Sequence, residues 1–180
     1  MKLKTIILAI TLLMFFKVDA QNTSVEKSIW GIQTGILGIW AHNEYRLSDK
    51  IALRSEIGFD GGFRITGSTE IYALTPILKI EPRWYYNLNK RQKKGKNISM
   101  NSGNFIAVSF SYLPNWFVIS NTDNIYTPDQ ITIIPKWAIR RVIGNHFVYE
   151  TGFGIGFAHE LESNTSGTAV DLHLRIGYTF

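Results

Sequence analysis

The sequence predicts an all-β chain: an up-and-down antiparallel barrel, most simply of eight strands, with its apolar side turned outward to a membrane. Three observations carry that prediction. Apolar and polar residues alternate with a period of two in segment after segment, from Ile51 to the last residue. Aromatic residues make up 13% of the chain, glycine is frequent and helix-period stripes are hard to find, which is a strand composition. The polar side of the alternation holds opposite charges in near balance, while the aromatic residues of the apolar side gather at strand ends.

Taken in order, the chain opens on a segment that is not part of the barrel. Lys2 and Lys4 precede an apolar run from Ile6 to Phe16, and Val18-Asp19-Ala20 supplies small residues at a cleavage position. This is the pattern of an export signal over residues 1–20, leaving 21–180 as one domain. The run is too short to span a bilayer as a helix, which takes about 20 apolar residues. The chain has no cysteine, so a lipid-modified cysteine and disulfides are both excluded, and the fold must stabilise itself without them. Without residues 1–20 the charge is 16 basic against 13 acidic, a net of +3, much of it in Lys90-Arg91-Gln92-Lys93-Lys94-Gly95-Lys96. Elsewhere the charges balance, which gives no support to nucleic-acid binding.

The segment from Ser28 to Leu47 is the first apolar-rich stretch. As one strand of 20 residues it would reach about 66 Å at 3.3 Å per residue, well beyond a membrane strand of about 9–11 residues. Gly35 and Gly38 are where it can fold back as a hairpin. One long strand, giving seven in all, is the competing reading. Six further strands follow by alternation: Ile51 to Phe59, Tyr72 to Leu88, Ile106 to Val118, Ile131 to Ile139, Phe147 to Phe157, and Val170 to Phe180. Turn-forming residues separate them, with short connections at Ser48-Asp49-Lys50 and Gly144-Asn145-His146. Longer polar ones fall at Arg64 to Thr69, Asn121 to Asp129 and Ser163 to Gly167. Within the Asn89 to Asn104 connection, the basic stretch from Lys90 to Lys96 reads as a solvated, mobile turn, with contact to anionic lipid headgroups or periplasmic polymer as the other reading. Pro76, Pro82, Pro114 and Pro135 fall inside the alternating runs and must each cost a ladder hydrogen bond.

Which side faces the membrane follows from the charges. A soluble barrel points its apolar side inward, whereas a membrane barrel inverts this. Glu44, Arg46, Arg54, Glu56, Asp60, Lys79, Glu81, Arg83, Lys136, Arg140, Glu150, Asp171 and Arg175 share the polar side, seven basic and six acidic, a set suited to mutual pairing in a closed interior. Tyr45, Trp84, Tyr86, Phe147, Tyr149, Tyr178 and Phe180 lie near the short turns, and Phe63, Tyr72, Trp116 and Phe157 near the longer ones, as two aromatic girdles would.

The leader, the alternation and the terminal Gly177-Tyr178-Thr179-Phe180 resemble bacterial outer-membrane β-barrels. The stretches YRLSDKIALRSEIG (45–58) and PRWYYNLNKR (82–91) resemble small barrel proteins of Bacteroidetes. The resemblance implies a place in the outer membrane of a Gram-negative cell, with outer-membrane lipid as surroundings. It also implies recognition of Tyr178 and Phe180 by the barrel-assembly machinery. It implies no activity.

Candidate chemistry is sparse. An eight-stranded barrel has an interior just wide enough for side chains, so Tyr85, Trp40 and the charges should fill it, and a conducting pore is not expected. His159, beside Glu160 and Glu162, is the best-placed histidine for the His-Ser-acid chemistry of lipid A-modifying barrels, but no serine of distinctive context accompanies it. On an alternating strand those carboxylates point to different faces, which argues against a metal site. His173 reads as a satisfied interior residue. No cofactor is expected. The expected role is therefore structural, adhesive or binding through the loops, with an unknown extracellular ligand. The alternatives are a soluble periplasmic barrel holding a hydrophobic ligand, and a lipid A-modifying enzyme.

Overall fold

A computed structural model of the chain describes residues 23–36, 38–66, 69–123 and 125–180. The leader read over residues 1–20 lies outside the described residues.

The strands are β1 (Ser28–Gly35), β2 (Gly38–Arg46), β3 (Ile51–Thr66), β4 (Thr69–Trp84), β5 (Asn104–Leu113), β6 (Ile119–Ser120), β7 (Gln130–Ile143), β8 (Phe147–Glu160) and β9 (Thr165–Thr179). All pairings are antiparallel. Eight strands form the wall in the order β1-β2-β3-β4-β5-β7-β8-β9, and β9 closes back on β1 from Gly31↔Thr179 to Gly35↔Arg175. The two-residue β6 only flanks β4, at Ala73 and Leu74. The stretch from Ser28 to Leu47 is thus a hairpin folded at its glycines, and the eight-strand reading holds over the seven-strand one.

Strand length is where sequence and structure part. β3 and β4 run as one hairpin to Thr66 and Thr69, and β8 and β9 to Glu160 and Thr165. Two of the three expected loops, Arg64 to Thr69 and Ser163 to Gly167, are therefore mostly strand. Cross-strand pairing extended the ladders through polar residues that carry no alternating signal. The prolines behave as the ladder requires. Pairing skips Pro82 between β4 and β5 and Pro135 between β7 and β8, while both strands continue. Pro76 lies beyond Leu78↔Tyr112, where β5 no longer flanks β4, and Pro114 follows the end of β5.

The basic connection between β4 and β5 is a second correction. It contains a short helix, α1 (Leu88–Lys93), and a 3-10 turn at Ser99–Asn101. Leu88 and Asn101 are buried while Lys90, Lys94 and Lys96 remain exposed. The segment folds across the end of the barrel where β1 begins and β9 ends, the terminal end, named for the first and last described residues. A six-residue helix gives too little periodicity to show in the sequence, and burial of Leu88 in the barrel mouth holds it in place.

Circling the wall by paired residues measures its stagger. From Ile32 the path runs through Ala41, Ile57, Leu78, Tyr112, Ile131 and His159 to Ser166. The direct partner of Ile32 on β9 is Tyr178, so one circuit shifts the register by 12 residues (178 − 166). Strand number and stagger together set tilt and width. At a fixed eight strands, a larger stagger means a steeper tilt and a wider tube.

Candidate functional site: the barrel interior

The alternation sorts side chains as the charges imply. Along β9, Leu172, Leu174, Ile176 and Tyr178 are exposed, while Arg175 and Thr179 are buried. The other strands repeat the pattern, so the outer surface is apolar and aromatic and the interior polar. The interior divides into three tiers, counted from the end that holds the termini.

The lowest tier is a hydrophobic plug. Val25, Ala52, Tyr85, Leu88, Phe105, Ala107 and Ala138 form one buried cluster, with Ile98 packed against it. The Tyr85 and Phe105 rings meet at 5.0 Å. The 3-10 turn ties this plug to the tier above. Asn101 Nδ2 donates to Glu44 Oε1 at 2.5 Å, and Arg140 Nε donates to the Met100 carbonyl at 2.8 Å. Met100 and Asn101 reach these positions with φ of 50° and 58°, a left-handed turn that asparagine tolerates better than most residues.

The middle tier is an ion-pair network. Arg83 is its hub. Its Nη2 and Nη1 donate to Glu150 Oε1 and Oε2 at 2.8 and 2.9 Å, Nε donates to Glu81 at 2.7 Å, and Nη1 reaches Glu44 at 3.2 Å. Its guanidinium also lies 4.4 Å over the Phe105 ring. Arg140 meets Glu150 at 3.3 Å, and Arg54 donates to Glu56 at 2.7 Å and to Gln33 at 2.5 Å. Arg175 donates to Glu56 at 2.8 Å and stacks 3.9 Å over Trp40. Lys136 joins Glu81 at 2.5 Å to Asp171 at 3.3 Å. Glu44, Arg54, Glu81, Arg83, Arg140 and Glu150 are fully buried. Charges so placed persist only when each has a counter-charge, because taking one out of water costs several kcal/mol.

The structure thus brings together eleven residues expected to share the interior: Glu44, Arg54, Glu56, Lys79, Glu81, Arg83, Lys136, Arg140, Glu150, Asp171 and Arg175. Arg46 and Asp60 stand apart from the network, half-buried at opposite ends. Tyr178 and Phe180 are on the outer face by the termini, where Tyr178 stacks on His146 at 5.1 Å and meets Phe147 and Phe180 edge-on.

The third tier corrects the expectation of a filled interior. A cavity of about 610 Å³ occupies the half of the barrel away from the termini. Its floor is Lys79, Asp171, His173 and Arg175, and Trp40 and Ile77 stand in its wall. The sequence carried a signal for it. Inward positions there are small: Gly62 on β3, Ser109 and Ser111 on β5, Ala158 on β8. The stagger of 12 supplies width that those side chains do not fill.

Two further features lie outside the interior. His159 Nδ1 and Ser166 Oγ are 2.9 Å apart across β8 and β9, so a serine does accompany this histidine. The His159 ring stacks against Phe157, no hydrogen bond or ion pair joins it to a carboxylate among the described residues, and Glu160 instead accepts from Ser163 and Thr165. A basic groove of about 440 Å³ beside α1 is lined by Lys90, Arg91, Lys94, Lys96 and Arg141 with Tyr86. No group of three or more metal-binding side chains occurs among the described residues.

No protein-family model, no curated protein and no solved structure matches this chain.

Proposed function

We propose that the chain is an integral outer-membrane barrel of a Gram-negative cell, exported by its leader, non-conducting, with a structural or loop-mediated binding role. One observation carries this reading: the buried face is charged and the exposed face is apolar. Leu172 is 82% exposed, Val170 68%, Trp30 62% and Phe153 60%. Exposed apolar patches on soluble monomers rarely exceed a few hundred Å², and a wall apolar on every side fits lipid. The closed sheet suits the same solvent, because at the level of β1 and β2 pairing all round removes edges that lipid cannot hydrate.

The plug and the ion pairs support a sealed lower half rather than a pore. The basic groove, next to Trp84 and Tyr86, fits the level of the headgroups. Tyr178 and Phe180 fit the role of an assembly address. A soluble barrel with a hydrophobic ligand would need the apolar side inward, where this chain has arginines and glutamates.

Cell fractionation tests the reading. The full chain should be recovered in the outer membrane, and its unboiled form should migrate differently from the boiled form on a gel. Recovery in the soluble periplasm, with no heat-dependent shift, would overturn it.

A further inference from the structure

The wall is not of one height. β1 and β2 stop at Gly35 and Gly38, opposite Arg175 on β9 and Asp60 on β3. Their neighbours continue. β9 runs on from Leu174 to Thr165 paired to β8 alone, and β3 runs on from Gly61 to Thr66 paired to β4 alone. No pairing joins β3 to β9 among the described residues. A notch therefore opens between these two strands above the β1–β2 hairpin.

The cavity lies directly behind the notch. Gly35, Ile36, Gly61, Gly62, Ala169 and Asp171 line it on that side. The residues framing the notch outside are apolar and among the most exposed in the chain: Leu172 at 82%, Ile36 at 80% and Val170 at 68%. The unpaired backbone of β9 and β3 is costly in lipid unless it lines a polar cavity, and here it does.

We propose that the notch is a lateral entrance, through which a single-chain anionic amphiphile passes from the membrane into the cavity. This rests on the outer-membrane reading above. Its head meets the floor, where Lys79 is the least engaged cation. Arg175 is bound to Glu56 through Nη1, although its Nε has no partner among the described residues, and Lys136 is bound to Glu81 and Asp171. Lys79 has its nearest carboxylate, Glu56, at 3.8 Å and makes no hydrogen bond among the described residues. A carboxylate or phosphate head supplies the missing acceptors, and the chain leaves through the notch past Ile36 and Leu172 into lipid. The volume of about 610 Å³ is that of a small-molecule site and holds a head with its first carbons.

The chain has no cysteine, so Ala169→Cys in the full protein gives a single attachment point for an environment-sensitive dye at the notch. The labelled barrel in nanodiscs is titrated with palmitate, dodecyl phosphate or hexadecanol. Palmitate and dodecyl phosphate should each give a saturable dye shift, and hexadecanol at least tenfold weaker binding. Lys79→Gln should weaken the two anions to the level of hexadecanol. Gly62→Phe should abolish all three, since Gly62 lines the cavity and a Cβ there meets nothing within 4 Å. A heat-modifiable barrel that binds neither anion, binds all three alike, or is indifferent to both substitutions overturns the entrance and leaves the membrane reading standing. A chain that is soluble and not heat-modifiable overturns both.

Discussion

The middle tier makes a quantitative prediction at Glu150. Glu150→Gln keeps the shape and removes the charge. The loss falls mainly on Arg83 and Arg140, and unequally; Arg54, at 4.0 Å, loses less. Arg83 loses its two-pronged contact at 2.8 and 2.9 Å but keeps Glu81 at 2.7 Å and Glu44 at 3.2 Å. Arg140 loses its carboxylate at 3.3 Å and keeps only Glu44 at 3.9 Å and the Met100 carbonyl at 2.8 Å. Hydrogen bonds to charged groups contribute about 1.5–3 kcal/mol each, and breaking a buried pair costs about 3–5 kcal/mol because the survivor stays buried. The expected loss is about 3–5 kcal/mol. At a urea dependence of about 2 kcal/mol per M, the unfolding midpoint drops by about 1.5–2.5 M. The assay is urea titration of the protein refolded in vesicles, followed by tryptophan fluorescence and by the heat-modifiable band. Arg140→Met added to Glu150→Gln removes the stranded cation and should restore part of the loss. A shift well below 0.5 M for Glu150→Gln, or a double variant whose losses simply add, would refute the account of the interior as mutually dependent ion pairs.

Other sites test other parts of the argument. Under the proposed membrane reading, Leu174→Arg places a charge on the lipid face, at a cost of about 2–4 kcal/mol near mid-bilayer, and should lower the yield of heat-modifiable barrel. Phe180→Ala should reduce outer-membrane recovery in cells while the purified chain still refolds in detergent, since Phe180 is 73% exposed and adds little to the folded wall. At Gly156 a Cβ would sit 2.1 Å from the Ile133 carbonyl, whereas at Gly167 it would meet nothing within 4 Å. Gly156→Ala should thus destabilise the refolded barrel in urea, and Gly167→Ala should not. Replacing Lys90, Lys94 and Lys96 together by Glu should leave folding intact, because all three are exposed, and should slow insertion into anionic vesicles more than into neutral ones.

Much of this protein was settled by local pattern. A period of two assigns each side chain to a face irrespective of what lies across the strand, so Leu172 outside and Arg175 inside could be read from the last strand alone. Charge balance on one face suited a closed interior, and of the thirteen residues it named, all but Arg46 and Asp60 pair there. Gly35 and Gly38 marked a hairpin because a single strand of 20 residues would reach about 66 Å. What the pattern could not carry was anything set by register. Arg83 joins Glu150, 67 positions along the chain, and only the sum of all strand offsets brings them together. The same offsets make the stagger of 12, which widens the barrel and leaves a cavity where strand count alone predicted packed side chains. The ends of the strands were also decided late, because β8 and β9 extend each other by pairing through polar residues with no alternation to show. The notch exists for the same reason: it is a difference in height between strands that are neighbours only once the sheet has closed.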